Sequence, residues 1–298
     1  MGRSWRIGGK EYEYLRQLLD SGFPGAASVN FTARLEAAFA EKFDCRYAVS
    51  HANGTATLHS ALVAAGVQPG DEVIVPPLTM ASTSLAVLHQ GAVPVFADVD
   101  PETFLIDPAS VRRQITSRTR AIIPVALFGL SPDMDAIMAI ADEHRLVVIE
   151  DDAQCFLGRY KGKTAGSIGH MASFSFQNSK HITSGEGGMV TTNCLEYADR
   201  IAKFASLGYG LVGAGAGKSK IDKRAIVRPC FKRHVSLGFN CRMSDLCAAV
   251  ALAQLERLEE LVAWRKRAAM ALDEAVRSCK WLTPQRVPDD CEHCYWSY

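Results

Sequence analysis

Apolar and polar positions along this chain fall into two alternating rhythms. Between residues 31 and 43, Phe31, Leu35, Phe39 and Phe43 recur at four-residue intervals, which places them on one helix face. Short apolar runs then follow, at 46–50, 72–75, 93–97, 121–125 and 147–151. Continuous runs of that length fit strands covered on both faces. Between them the spacing returns to that of helices, predicted over 54–65, 81–89 and 133–144. Pro76-Pro77 stops one strand, because proline has no amide to give a ladder, and Ser131-Pro132-Asp133 marks a helix start. Strands alternating with helices predict an α/β chain with a mostly parallel central sheet between helices. A single long amphipathic helix is predicted over 244–279.

In such sheets ligands gather at the carboxyl ends of the strands. Asn53-Gly54-Thr55, Leu78-Thr79-Met80 and Asp151 all fall on that predicted rim. Small residues at 54 and 55 would let the first amides of a helix bind a phosphate, aided by the helix dipole. An ordinary cap at Asn53 or Thr55 would use the same residues. The most informative position is Lys180. An alternating strand at 173–176 leads to it, and Gly185-Glu186-Gly187-Gly188 then turns into a strand at 189–192, which reads as a tight hairpin. Most lysines are simply solvated, but this one is pinned by its surroundings. A lysine among apolar neighbours loses its proton readily and attacks carbonyls to form a Schiff base. A carboxylate at the end of 147–151 can hold a pyridinium nitrogen protonated, which is what pyridoxal phosphate needs to act as an electron sink. Glu150, Asp151 and Asp152 are the candidates, and the Ser175 hydroxyl could reach the same phosphate as Gly54 and Thr55.

Composition narrows the alternatives. The 298 residues are 48% hydrophobic, enough for one large domain and part of another. The divisions read as an N-terminal segment 1–29, a large domain 30–243, and 244–298 holding the long helix and the start of a small domain. Lys+Arg 33 against Asp+Glu 32 gives a net charge of +1, so neither nucleic acid nor an anionic membrane is expected as a partner. No apolar stretch has the length of a membrane span, and the basic N-terminus lacks a secretory apolar run. Nine cysteines without framework spacing suggest reduced thiols and a cytoplasmic setting. Cys291-Glu292-His293-Cys294 resembles half a zinc knuckle, but no second pair stands nearby and no metal is expected. The run from Gly213 to Ser219 imitates a P-loop, yet Val212 occupies the position that needs glycine.

The order of these motifs resembles the DegT/DnrJ/EryC1/StrS sugar aminotransferases. Asn53-Gly54-Thr55, Pro76-Pro77-Leu78-Thr79, Pro94 to Asp100, Glu150-Asp151-Asp152-Ala153-Gln154, Ser175, Lys180 and Gly185 to Gly188 carry the likeness, and Gly238-Phe239-Asn240-Cys241-Arg242-Met243 is similar to a further motif of that family. The resemblance implies a fold type I architecture, pyridoxal 5′-phosphate as cofactor and a homodimer with shared sites. It gives Lys180 the covalent bond to the cofactor, Asp151 the ring nitrogen, and Gln154 a place near the phenolic oxygen. Gly54, Thr55 and Ser175 would hold the phosphate, and Asn240 would reach the neighbouring subunit's phosphate. Met80 stands where that family carries an aromatic residue stacked on the ring, and Cys155-Phe156-Leu157 departs from its pattern in what would be the sugar pocket. The implied substrates are an amino acid donor, expected to be glutamate, and a nucleotide-linked keto-sugar or an aminocyclitol precursor. The alternatives are a sugar dehydratase, which would carry histidine in place of Lys180, and a non-catalytic regulator.

Two expectations concern the end of the chain. Residues 294–298 alternate like a strand, which would leave an exposed, unpaired edge prone to aggregation. The resembled family runs on further, so the 298 residues are expected to be a fragment with a truncated small domain, poorly soluble or inactive as they stand.

Overall fold

A computed structural model describes residues 6–23, 29–214 and 227–298. Seven strands form the central sheet: β1 (Tyr47–His51), β2 (Glu72–Val75), β3 (Val93–Phe96), β4 (Thr119–Ile122), β5 (Val147–Asp151), β8 (Met171–Ser175) and β9 (Gly188–Thr192). Their order is β1-β9-β8-β5-β4-β2-β3. The pairs from β8 through β3 are parallel, while β9 runs antiparallel to both β8 and β1. A small three-stranded sheet joins β6 (Arg159–Tyr160), β7 (Lys163–Thr164) and β10 (Cys291–Glu292).

Helices cover this sheet, and local chemistry sets their starts. In α2 (Phe31–Lys42) Asn30 caps the amide of Ala33 at 3.0 Å. In α3 (Gly54–Ala64) Asn53 caps Ala56 at 2.9 Å, and in α6 (Met134–His144) Asp133 caps Ala136 at 3.1 Å. The predicted stripe Phe31, Leu35, Phe39, Phe43 is wholly buried. Phe39 and Phe43 stack at 4.3 Å, and Phe39 meets Phe174 of β8 edge-on at 5.0 Å. Aromatic packing thus anchors α2 beneath the strand that leads to Lys180.

Three helices were not anticipated, α1 (Gly9–Asp20), α5 (Pro108–Gln114) and α7 (Leu195–Ala205), while the expected α4 (Ser82–His89) begins one residue later than predicted. Two expectations are corrected. The helix over 244–279 is two helices, α8 (Asp245–Leu255) and α9 (Leu258–Val276), parted at Arg257 with φ −115°. At the break, Glu256 is engaged by Lys10 and by Tyr14 at 2.7 Å, both from α1, and Arg257 bonds Glu260 at 3.1 Å. Residues 294–298 form no exposed strand. Cys294 is wholly buried and donates to Gly129 O at 2.9 Å, while the Trp296 amide donates to Phe128 O at 2.7 Å. Gly129 (φ +112°) permits this approach, since a Cβ there would lie 2.7 Å from the Tyr295 nitrogen.

Candidate active site

The site lies where β1, β5 and β8 end. β1 passes through Ala52 into α3, whose first amides, at Gly54 and Thr55, precede any intrahelical bond. A Cβ on Gly54 would fall 2.8 Å from Ser175 Cβ and 3.1 Å from Ser175 Oγ. Glycine therefore lets the helix N-terminus press against the Ser175 hydroxyl. Below this contact, Thr57 Oγ1 and Ser173 Oγ lie 2.6 Å apart, tying α3 to β8.

The acidic end of β5 divides its work by the alternation of a strand. Glu150 accepts from the amides of Gly166, Ile168 and Gly169 at 3.0, 2.9 and 2.6 Å, so it braces that loop. Asp151 lies on the opposite side, where Thr83 Oγ1 donates to it at 2.9 Å and the Ala153 amide donates at 3.3 Å. Asp152 is buried with one carboxyl oxygen unpartnered, and burial, with Glu150 and Asp151 near, pushes its acidity well down. Burial also raises the pKa of Asp151, partly offset by Thr83, Ala153 and the charge of Lys180. Of the three acids only Asp151 is electrostatically coupled to the lysine.

Lys180 is 9% exposed. Desolvation lowers its pKa, opposed by the charge of Asp151 and reinforced by Arg265. The lysine does not sit in a tight hairpin. β8 and β9 pair from Met171↔Thr192 to Ser175↔Gly188, and a longer loop between them carries it. That loop is closed from within, by Ser184 N to Phe176 O at 3.1 Å and Thr183 Oγ1 to Phe176 O at 3.0 Å. It is also clamped from outside. Arg6 donates to the carbonyls of Asn178 and Lys180, and Arg265 of α9 donates to those of Ser179 and Lys180, at 2.9 and 3.2 Å.

The remaining predicted residues are placed as follows. Gln154 is buried and its Oε1 accepts from the Phe128 amide at 2.8 Å. Met80 is 66% exposed, at the mouth of α4, three residues before Thr83. Asn240 is exposed. It bridges Ser206, and the carbonyl of the next residue, Cys241, accepts from Ala52 N at 2.8 Å, close to the Asn53 cap. Cys155 and Phe156 do not line a sugar pocket. Both are wholly buried, and Phe156 packs edge-on against Phe174 at 5.4 Å and tilted against His181 at 5.5 Å. Residues 215–226, with most of the P-loop-like run, lie outside the described residues. In the Cys291-Glu292-His293-Cys294 run, His293 faces Gln285 at 2.9 Å while Cys294 turns to Gln154 O at 3.6 Å.

Residues 6–298 match the DegT/DnrJ/EryC1/StrS aminotransferase family. This chain belongs to that family. It is similar to the GDP-perosamine synthase of Caulobacter vibrioides, 39% identical over 98% of this chain and 74% of that protein. Among solved structures it is similar to the aminotransferase from Psychrobacter cryohalolentis, with TM-score 0.87 and 35% identity over 97% of this chain and 74% of that one. It is also similar to the E. coli GDP-4-keto-6-deoxy-D-mannose-3-dehydratase with bound hydrated PLP, with TM-score 0.86 and 25% identity over 98% and 76%. The chain is thus a transaminase of the pyridoxal phosphate-dependent class with the α/β fold of that family.

The residues fit that cofactor. A helix N-terminus and a serine hydroxyl meet at a glycine contact, which suits a phosphate. Asp151 is a carboxylate disfavoured by burial, and a ring cation would restore its charged form. Four partners escaped sequence reasoning: Thr83, Phe128, Arg265 and Trp296. Only Thr83 left a trace, as a hydroxyl four residues after Thr79 on the same rim. No helix among the described residues is long and apolar enough to cross a membrane.

Proposed function

We propose that this enzyme transfers an amino group from an amino acid, with glutamate as donor, to a keto-sugar carried on a nucleotide. The observation that carries this reading is the buried pair of Lys180 and Asp151 beside the Gly54–Ser175 contact. The similarity to a GDP-perosamine synthase makes a GDP-linked keto-sugar the first acceptor to test.

Bound pyridoxal phosphate supplies the electron sink that lets a proton leave the carbon bearing the amino group. The chain supplies the rest. Gly54, Thr55 and Ser175 hold the phosphate and so fix the ring's position. Asp151, aligned by Thr83 and the Ala153 amide, holds the proton on the ring nitrogen. Gln154, fixed by Phe128, stands by for the phenolic oxygen. Lys180 has its proton affinity reduced by burial, so the neutral amine is accessible as nucleophile and then as proton carrier. One lysine serving both half-reactions implies ping-pong kinetics. Met80 in place of an aromatic residue would cover the ring less directionally.

Borohydride reduction of the loaded protein should leave the cofactor on the peptide containing Lys180. Lys180→Ala should lose this adduct and the formation of GDP-amino sugar from glutamate and GDP-4-keto-6-deoxymannose. Undiminished turnover by that variant would remove Lys180 from the reaction.

The reading includes a cytoplasmic homodimer in which Asn240 serves the opposite site, supported by its exposure beside the phosphate end of α3. Mixed dimers of Lys180→Ala and Asn240→Ala subunits should then regain activity that neither variant shows alone. Failure to complement, with mixed dimers confirmed, would confine each site to one subunit.

A further inference from the structure

Lys180 does not look only toward Asp151. Its Nζ lies 4.5 Å from the ring centroid of Trp296, more than a hundred residues away in sequence. An ammonium over an indole face is attracted by the ring's quadrupole, more strongly where water is excluded. Lysines near an aromatic ring are common, but this half-buried ring is fixed by a hydrogen bond of its own and by those of its backbone. Its indole N–H donates to Ser179 O at 3.0 Å, and its backbone amide to Phe128 O at 2.7 Å. Its backbone carbonyl accepts from Arg265, whose other nitrogen donates to Ser179 and Lys180. One residue before it, Tyr295 takes φ +52°, and its amide donates to His293 Nδ1 at 2.8 Å. Two residues before it, the Cys294 carbonyl accepts from His181 Nε2 at 3.0 Å. The segment is thus fastened to the residues on both sides of Lys180, and through Phe128 to the amide that fixes Gln154.

We propose that Trp296 is a positioning residue for Lys180, its indole face holding the ammonium group over the site whenever that nitrogen is not bonded to a ligand. The proposal rests on Lys180 being the reactive amine, as proposed above. A lysine side chain has four rotatable bonds and is strongly hydrated, so a released amine would otherwise swing toward water. Parked on the indole it stays within reach of the strand ends and can return to its carbon. The charged groups facing it are Asp151 from β5, Arg265 from α9 and Arg6 from the N-terminal segment. The two arginines engage the Lys180 carbonyl, which leaves Asp151 and the indole to attract the ammonium.

The cofactor-free protein gives the test. Competitive labelling with acetic anhydride across pH, read on the Lys180 peptide by mass spectrometry, yields the proton affinity of that amine. Trp296→Leu keeps apolar cover but removes the face, and should lower the apparent pKa by about 0.5–1.5 units. Trp296→Phe keeps a face and should recover most of that shift. In the loaded enzyme Trp296→Leu should depress kcat and leave KM for the amino donor near its original value. An indole that merely shields the lysine predicts the reverse, since more water raises the pKa in both variants. An unchanged or raised pKa in Trp296→Leu, or equal values in the two variants, overturns the proposal. If the leucine variant fails to fold, the unmodified apo protein decides. The indole 15N signal of Trp296 must then titrate together with Lys180, and a pH-invariant signal overturns the proposal. Borohydride trapping on Lys180 is unaffected by either outcome, so failure here is separable from failure of the transaminase reading.

Discussion

Replacing Gly54 with alanine sets two physical effects against each other. At an ordinary helical position, glycine to alanine gains up to about 1 kcal/mol, because alanine loses less backbone freedom on folding. Here the new Cβ would stand 2.8 Å from Ser175 Cβ, 3.1 Å from its Oγ and 3.5 Å from its Cα. None of these is the far end of a flexible side chain. β8 cannot retreat, because Ser175 pairs with Gly188 of β9, where a Cβ would itself lie 2.8 Å from Phe174 O. Overpacking of this kind costs roughly 1–3 kcal/mol, which exceeds the propensity gain. Gly54→Ala should lower Tm by ~2–6 °C, and push α3 off the Ser175 hydroxyl, so that cofactor affinity falls by more than the stability loss alone explains. Ser175→Gly in the same background removes the obstructing atoms. It should restore Tm and leave the cofactor weakly bound, because this second change removes the hydroxyl itself. Thermal unfolding of the apo protein and fluorescence titration with pyridoxal phosphate read the two effects separately. A Gly54→Ala protein with unchanged or raised Tm and undiminished cofactor affinity would refute both the close approach and the phosphate role argued from it.

Asp151→Asn should leave cofactor attachment intact while lowering kcat on the order of 100-fold or more, because a neutral amide cannot hold the ring proton. Glu150→Gln should show the opposite pattern in thermal unfolding and steady-state assays, a stability loss of about 1–3 kcal/mol with kcat retained, since Glu150 serves three backbone amides. Exchanged phenotypes would move the ring-nitrogen role to Glu150. His51 is buried between Val49 O and Ser60 Oγ at 3.0 and 2.8 Å, and its pKa is lowered to about 4 by desolvation. The unfolded chain binds this proton more tightly, so stability is full above pH ~6.5 and declines as pH falls toward 4, by up to about 3 kcal/mol. Tm measured between pH 7 and pH 4.5 should fall less in His51→Gln than in the parent, and an equal fall would show that His51 does not carry the effect.

What could be read from the chain itself was whatever depends on near neighbours. Apolar runs and helical spacing placed β2, β5, α2, α3 and α6 within a residue or so, because burial periodicity and caps such as Asn53 and Asp133 act over four residues. The positions of Gly54, Thr79 and Asp151 after apolar runs pointed to one rim, since parallel strands bring their ends to the same side. Three things were settled only by the path of the chain. Asp151 was separated from Glu150 by the side of β5 that meets Thr83 and Lys180, which depends on which strands flank it. The helix over 244–279 broke because α1, remote in sequence, engages Glu256 at the junction. The final aromatic residues read as a free strand, yet they fold back so that Trp296 lies against Lys180, because Gly129 and Arg265 offer them partners. Contacts between residues a hundred or more positions apart leave no periodic trace, and it is these that complete the surroundings of Lys180.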